Sequence, residues 1–277
     1  MHPLRAFVIA VSALCSAAAF AGQPCIAIDH VPFIAWTSGT YCAVNDLTFG
    51  NAEATAAIEI RADNVTIDLQ GYAMRSSPDI NSYAIVATKW WFEKVIIRNG
   101  RIDGFAFGVL AFANDLVVQD LVINDVLTGI EINGYGVDID NVVTRGRMNT
   151  SVLGVIANGG TWEVSRLRVE GGFQTAIDSA AEHIDIRDSY LAGRFNAATL
   201  KGAATTLRDS DLRVLGDLGK DVVICTDKST SLITGNTFSG ASATVNAINN
   251  AGSGKYRDNT ALGDLKYVGG TDAGGNV

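Results

Sequence analysis

A repeat of about 23 residues restricts the fold of this chain more than any other feature of its sequence. Each repeat contains three short segments in which apolar and polar residues alternate, which is the pattern of a half-buried β-strand. The first segments centre on Ile85, Val109, Ile130, Val155, Ile177, Leu200, Ile224 and Ile248. The second segments centre on Ile97, Val118, Ile139, Val164, Ile186, Leu207, Ile233 and Tyr256, and the third centres lie five residues after these. The sequence therefore predicts three strands in every repeat.

Strands this short cannot bury an apolar face alone, so the repeats must stack around a shared core. A sandwich or barrel would need hairpin turns, and the dipeptides that form them are scarce here. Small or polar residues recur three positions after the last four of these second-series centres, at Ser189, Ser210, Asn236 and Asn259. We expect these side chains to form a ladder inside a sharp turn. The predicted fold is all-β, a parallel β-helix.

The first 21 residues have the pattern of a cleavable secretory signal peptide. Arg5 provides a positive charge, residues 6–14 are apolar, and Ala19, Phe20 and Ala21 form a cleavage motif. No later apolar run reaches the roughly 18 residues that a membrane span needs. The sequence therefore predicts a periplasmic or extracellular protein, cleaved near Ala21 and without a membrane span.

Cysteine usage agrees with an oxidising compartment. Cys25 and Cys42 lie close together ahead of the repeats, and we expect a disulfide between them. Cys225 is then left over, and a small apolar role is favoured over a catalytic thiol because no histidine is evident near it.

Three segments resemble the opening rungs of a known family, namely SGTYCAVNDLTF (Ser38–Phe49), ADNVTIDLQGY (Ala62–Tyr72) and VIIRNGRIDGF (Val95–Phe105). The chain resembles bacterial right-handed parallel β-helix repeat proteins, which belong to the pectate-lyase-like, carbohydrate-directed group. The resemblance implies a right-handed, single-stranded parallel β-helix of about eight to nine rungs that acts on or binds polysaccharide outside the cytoplasm. We place a signal peptide in residues 1–21, an N-terminal cap in 22–57, the β-helix in 58–263 and a C-terminal tail in 264–277.

The catalytic motifs of this group are missing from the sequence. It contains none of the polygalacturonase motifs N-T-D, D-D, G-H-G and R-I-K, and neither of the pectate-lyase boxes W-x-D-H and R-x-P-x-x-R. After cleavage only His30 and His183 remain, too few for a histidine-rich zinc site. These absences favour a protein that binds a polysaccharide or a cell-surface glycan without catalysis. A polysaccharide lyase or hydrolase and a structural or adhesive surface module remain as alternatives.

The candidate catalytic groups of the lyase or hydrolase alternative lie on the outward face of the first predicted sheet. The residues that follow the first-series centres are Val86, Leu110, Glu131, Ile156, Asp178, Lys201, Cys225 and Asn249. Asp178 adjoins Lys201 in this column, and Glu131 lies two rungs, about 10 Å, from Asp178. Two carboxylates and an amine at this spacing suit acid, base and charge-stabilising roles, and the simpler interpretation is a surface ion pair.

Aromatic residues gather in the turns that leave the same sheet. The residues are Trp90, Trp91, Phe112, Tyr135 and His183, with Asn133 and Asn158 beside them. Aromatic rings along a polar sheet face can stack on sugars, and the asparagines can bind sugar hydroxyl groups. We therefore predict a glycan-binding surface here. The alternative is that Trp90 or Trp91 folds over the core as a lid.

An acidic column precedes the second-series centres at Asp138, Glu163 and Asp185. Stacked carboxylates repel one another unless they bind a cation or meet arginine, which makes Ca²⁺ a candidate. Three arginines stand at neighbouring positions, Arg166, Arg187 and Arg208. They favour a mosaic of ion pairs, so we predict no cofactor and no metal site.

Two further expectations concern partners. The net charge of -8 argues against nucleic acid, because an acidic protein repels the phosphate backbone. The C-terminal end of the solenoid is a candidate surface for a protein partner, because an open rung exposes unpaired backbone groups.

Overall fold

The computed structural model describes residues 25–50, 54–76, 82–147, 151–216, 221–225, 230–240 and 246–277, without the side chains of residues 89, 90, 252 and 253. The predicted signal peptide, residues 1–21, lies outside the described residues. The described residues form 26 strands, which are β1 (Ile26–Ile28), β2 (Phe33–Ala35), β3 (Gly39–Ala43), β4 (Leu47–Phe49), β5 (Ala56–Ile60), β6 (Val65–Asp68), β7 (Ala73–Ser76), β8 (Tyr83–Glu93), β9 (Ile96–Asp103), β10 (Phe107–Asn114), β11 (Val117–Val126), β12 (Thr128–Asn133), β13 (Val137–Gly146), β14 (Leu153–Ser165), β15 (Arg168–Gly171), β16 (Thr175–Arg187), β17 (Tyr190–Gly193), β18 (Asn196–Leu200), β19 (Ala204–Arg208), β20 (Asp211–Val214), β21 (Asp221–Cys225), β22 (Thr230–Thr234), β23 (Thr237–Gly240), β24 (Asn246–Arg257), β25 (Thr260–Leu262) and β26 (Lys266–Asp272). This part of the chain contains no apolar helix of the length that a bilayer requires.

The strands stack in parallel along three faces of a solenoid, each strand pairing with its equivalents one turn before and one turn after. Sheet A contains β2, β5, β8, β10, β12, β18, β21 and the first parts of β14, β16, β24 and β26. Sheet B contains β1, β3, β6, β19, β22, the first parts of β9, β11 and β13 and the later parts of β14, β16, β24 and β26. Sheet C contains β4, β7, β15, β17, β20, β23, β25 and the later parts of β9, β11 and β13. The solenoid has about nine turns, which confirms the predicted all-β parallel β-helix.

The core is the continuous apolar interior between the three sheets. Ile130, Ile177 and Ile186 are fully buried in it, as the alternating pattern predicts. Sheets B and C have the predicted register throughout, for example with Val118 opposite both Ile97 and Ile139.

The predicted register of sheet A is wrong in two turns. Ala198, rather than Leu200, lies opposite Ile177, and Val223, rather than Ile224, lies opposite Ala198. Leu200 still faces the core, whereas Ile224 lies on the outer face. The error arises because two successive residues are buried near the start of most sheet A strands, which breaks the period of two.

The first residue of each buried pair is small, because it stands at a tight corner between sheets C and A. These residues are Ala57, Ala84, Gly108, Gly129, Gly154, Ala176, Ala197 and Ala247, with Val222 as the exception. A Cβ atom on Gly154 would lie 2.4 Å from Cγ1 of Val169 in sheet C and 2.5 Å from the carbonyl oxygen of Ala176 in the next turn. The corner therefore has no room for a larger side chain at this position.

The corner between sheets B and C carries a residue with left-handed backbone conformation in eight successive turns. These residues are Asn99, Asp120, Asn141, Arg166, Asp188, Asp209, Gly235 and Asp258, with φ between 49° and 67°. Asparagine, aspartate and glycine tolerate this conformation best, which explains their recurrence. The sharp bend directs the next side chain into the interior.

Those interior side chains form the predicted ladder in the later turns. The backbone N–H of Ser189 donates to Oγ of Ser210 at 3.1 Å, and that of Ser210 donates to Oδ1 of Asn236 at 3.0 Å. Asn236 donates in turn to Asn259, and Asn259 to Asn276, at 3.0 and 3.1 Å. The ladder thus pairs a buried backbone N–H in each of these turns.

Both predicted terminal segments contain regular strands. Within residues 22–57, strands β2, β3 and β4 pair with β5, β6 and β7 of the next turn, and β1 adds a further strand beside β3. Within residues 264–277, β26 pairs with β24. The solenoid therefore continues into both segments.

The predicted disulfide between Cys25 and Cys42 is confirmed, with 5.8 Å between the Cα atoms. It closes a loop with a sequence separation of 17, which on the chain-entropy model stabilises the fold by about 3 kcal/mol.

We expect mild reduction of this disulfide to lower the melting temperature by several degrees, measured by circular dichroism with and without reductant. A Cys25→Ser, Cys42→Ser variant serves as the control, because reductant should leave its melting temperature unchanged. An equal effect of reductant on both proteins would contradict the prediction.

Candidate functional site

An aromatic surface lies on the outer face of sheet A. Phe112, Asn133 and Asn158 occupy one column of adjacent strands in register. Strand β8 bulges beside Phe112, because its residues 88–91 occupy the space of a single residue of β10. The bulge places Trp91 on the outside, while Phe92 returns to the core with 7% of its surface exposed.

The rings of this surface are accessible to solvent. Trp91 is 50% exposed, Phe112 37% and Tyr135 49%. Thr88, Trp91, Phe112 and Asn133 line a shallow cavity of about 280 Å³. Trp91 is therefore not a lid over the core, and the side chain of Trp90 lies outside the described residues.

Tyr135 stands at the corner between sheets A and B, one turn after Phe112. Its backbone N–H donates to Oδ1 of Asn114 at 3.1 Å. Its ring covers Gly160 of the following turn, where a Cβ atom would lie 1.9 Å from Cδ1 of the ring. Glycine at that position therefore lets the tyrosine ring lie flat against the solenoid. We define the aromatic strip as Trp91, Phe112, Asn133, Tyr135 and Asn158.

His183 does not belong to this strip. It lies in sheet B, opposite Thr161 and Ala204, and is exposed. It lines a different cavity, of about 540 Å³, together with Asp138 and Asp185. Strand β16 runs from sheet A into sheet B without a break, so the turn that holds Tyr135 has no equivalent there.

Asp178 and Lys201 form an ion pair, although not through the predicted column. Thr199 lies opposite Asp178, while Lys201 follows the end of β18 and brings its Nζ within 2.7 Å of Oδ1 of Asp178. Glu131 lies two strands from Asp178, and the apolar Ile156 stands between them. The three groups share an open sheet face, on which Asp178 and Lys201 neutralise each other.

Cys225 is also displaced from the predicted outward column, where Ile224 takes its place. Its side chain is buried, and burial raises the pKa of the thiol to about 11. The thiol is therefore protonated at neutral pH, which agrees with a small apolar role for this residue.

The acidic column of sheet B is present, with Asp138, Glu163 and Asp185 in successive strands. Burial raises the pKa of Asp138, and the neighbouring carboxylates Asp140 and Glu163 raise it further. Arginines neutralise part of the negative charge in and beside this column. Arg208 lies 3.3 Å from Asp185 in the column, and Arg166 contacts Asp140 beside it. Across the described ranges, no group of three or more histidine, cysteine, aspartate or glutamate residues is arranged to hold a metal ion.

The sheet A face carries a second feature, whose residues are not among the predicted site residues. Trp36 follows β2 and is 60% exposed, with the guanidinium carbon of Arg61 4.4 Å from its ring centroid. Arg61 forms two hydrogen bonds to Glu59, both of 2.6 Å. Glu59 and Arg61 line a cavity of about 560 Å³ together with Thr88 and Leu110. The alternation of Ile58, Glu59 and Ile60, at the start of the predicted β-helix, is the signal that could have revealed this turn.

No family model and no curated protein matches the chain. A double mutant of the tailspike protein of Escherichia coli bacteriophage HK620 superposes with a TM-score of 0.65 and 12% identity, covering 87% of this chain and 60% of the tailspike. A single mutant of that tailspike in complex with a pentasaccharide gives 0.60 and 13%, covering 86% and 58%. The Streptococcus pneumoniae surface protein and adhesin PfbA gives 0.46 and 11%, covering 87% and 77%. The chain thus spans about 60% of the tailspike length, and at these identities the tailspike matches show a shared fold alone.

Proposed function

We propose that this protein binds a polysaccharide or a cell-surface glycan through the aromatic strip of sheet A, without catalysing a reaction. The observation that carries the proposal is the alignment of three exposed rings with two asparagines over consecutive turns. Exposed apolar side chains that stand together in one patch, rather than singly, are typical of a binding surface. Sugar rings present C–H faces that stack on aromatic side chains.

The polar members of the strip suit the same ligand. Asn133 and Asn158 lie in register on neighbouring strands, about 4.8 Å apart. Each amide offers two donors and an acceptor, which match the alternating donor and acceptor roles of sugar hydroxyl groups. Stacking would then supply most of the affinity, and the amides would set the orientation of the glycan.

Two further observations support a glycan ligand outside the cytoplasm. The disulfide between Cys25 and Cys42 agrees with an oxidising compartment and with the predicted signal peptide. A tailspike that shares the fold has been solved in complex with a pentasaccharide. A β-helix of this kind can therefore present a sugar-binding surface.

Removing the rings tests the proposal directly. We expect the Trp91→Ala, Phe112→Ala double variant to lose at least tenfold in glycan affinity, about 1.4 kcal/mol, with an unchanged melting temperature. A glycan array identifies the ligand, and isothermal titration measures its affinity. Tyr72→Ala is the matched control, because Tyr72 has the same 37% exposure as Phe112 but lies away from the strip. Equal loss in both variants, or unfolding of the double variant, would contradict the proposal.

A polysaccharide lyase or hydrolase is the alternative, with Asp178, Lys201 and Glu131 as its catalytic groups. The mutual neutralisation of Asp178 and Lys201 and the exposed position of the pair favour binding over catalysis. Release of reducing ends from uronic-acid polymers and from neutral polymers, with and without Ca²⁺, separates the two functions. Release that disappears in the Asp178→Asn variant would establish the enzyme.

A further inference from the structure

We propose that the aromatic strip continues onto the first turns of the solenoid, where Trp36, Glu59 and Arg61 form a further sugar subsite that selects uncharged glycans over acidic ones. The inference rests on the proposed function, since the strip and the subsite would hold one glycan chain. It adds a second contact region and a substrate class to that function.

The subsite is continuous with the strip. The backbone N–H of Arg61 donates to the carbonyl oxygen of Ala35 at 2.9 Å, which places Arg61 directly beside Trp36. The cavity of about 560 Å³ beside Arg61 and the cavity of about 280 Å³ beside Trp91 are both lined by Thr88. Three strand steps, about 14 Å, separate the turn of Trp36 from that of Phe112. A single extended oligosaccharide can therefore contact both regions.

Trp36 is held in place before any ligand arrives. The Arg61 guanidinium stacks on one part of the indole, and the hydrogen bonds to Glu59 hold the guanidinium itself. With 60% of its surface exposed, Trp36 still offers ring area to a sugar. A fixed ring binds at a smaller entropic cost than a mobile one.

The charges of the subsite determine which sugars fit. Glu59 and Arg61 are the charged side chains among the described residues that line the two cavities. Arg61 directs Nε and one terminal nitrogen at Glu59, so its charge is already neutralised. Because this pair has no net charge, a uronic-acid carboxylate would find no unpaired cation among the described side chains that line the two cavities. A neutral sugar can instead donate hydroxyl hydrogen bonds to the remaining lone pairs of Glu59.

The first experiment measures the dependence of affinity on glycan length. Titrations use neutral oligosaccharides of increasing length from the polymer identified on the array, with wild-type, Trp36→Ala and Trp91→Ala proteins. We expect Trp36→Ala to lose at least tenfold in affinity for the long oligosaccharides and to bind disaccharides as the wild type does. Trp91→Ala should weaken both. Binding of long oligosaccharides that is unchanged in Trp36→Ala overturns the subsite.

The second experiment changes the charge of the subsite with a conservative substitution. Glu59→Gln removes the negative partner of Arg61 while keeping the size of the side chain. We expect its affinity for oligogalacturonate to rise at least tenfold over wild type, and the gain to fall with added salt because it is electrostatic. An unchanged affinity for oligogalacturonate, with a native melting temperature, overturns the selectivity.

These experiments distinguish failure of the further subsite from failure of the proposed function. If the wild type binds glycan through Trp91 and Phe112 while the Trp36 and Glu59 variants behave as wild type, the further subsite is wrong and the proposed function stands. If the wild type retains no neutral or acidic glycan, both are overturned.

Discussion

The Ile177→Ala variant is expected to unfold with a free energy about 2–5 kcal/mol lower than that of the wild type. Ile177 is fully buried in the middle of sheet A, between Val155 and Ala198 of the adjacent turns. Truncation removes apolar contacts and leaves a cavity that the rigid stack of strands cannot close. Denaturant titration followed by circular dichroism measures the change.

Ile224→Ala is the control for this prediction, because it makes the same truncation on the outer face of the same sheet. Ile224 lies directly after the buried Val223 and is half-buried. We expect its effect to be well under that of Ile177→Ala, because part of the side chain is already in water. Equal effects of the two truncations would mean that the register of sheet A is displaced by one residue.

The Gly154→Ala variant is expected to lose about 3 kcal/mol, although it adds a single methyl group. The added Cβ would lie 2.4 Å from Cγ1 of Val169 and 2.5 Å from the carbonyl oxygen of Ala176. Both atoms belong to strands paired on two sides, so neither can withdraw without disturbing a neighbouring turn. Thermal and denaturant unfolding of the variant measure the loss.

Gly50→Ala is the matched control, since a Cβ atom on Gly50 would meet no atom of the described residues within 4 Å, its chain neighbours aside. It should be neutral or slightly stabilising, because alanine restricts the unfolded chain more than glycine does. Equal stability of the two variants would show that the corner between sheets C and A can relax, which contradicts the prediction.

Sheets B and C could be predicted from the sequence because large apolar residues such as Val118 and Ile139 mark most inward positions at a period of two. Sheet A could be predicted only in part. Most of its strands have two successive buried residues near their start, and in the turn of Ala197 and Ala198 both are small, so the larger Leu200 dominates the pattern. Alanine carries little hydrophobic signal although it is fully buried here.

The residues of the candidate site could likewise be predicted only in part from the sequence. Phe112 and Asn133 fall in one column because the register of their turns was predicted correctly. His183 was assigned to the wrong face because the length of the turn between sheets A and B changes along the solenoid. Trp36 was overlooked because its turn precedes the clear repeats, and its pairing with Arg61 depends on a backbone contact between turns. A contact of this kind between two turns cannot be inferred from the periodicity of the sequence.

The ladder from Ser189 to Asn276 also implies that these turns are completed in order, from the N-terminal end towards the C-terminal end. At each step, a backbone N–H of one turn is satisfied by the side chain of the turn that follows it in the chain. As the chain emerges from its N-terminal end, each of these turns therefore pairs this buried N–H only after the following turn has formed. The most recently formed turn therefore lacks this hydrogen bond. We expect the completed part of the solenoid to end one turn behind the emerging chain. A chain that ended early would then have an unpaired buried N–H in its last turn, while the earlier turns would be complete.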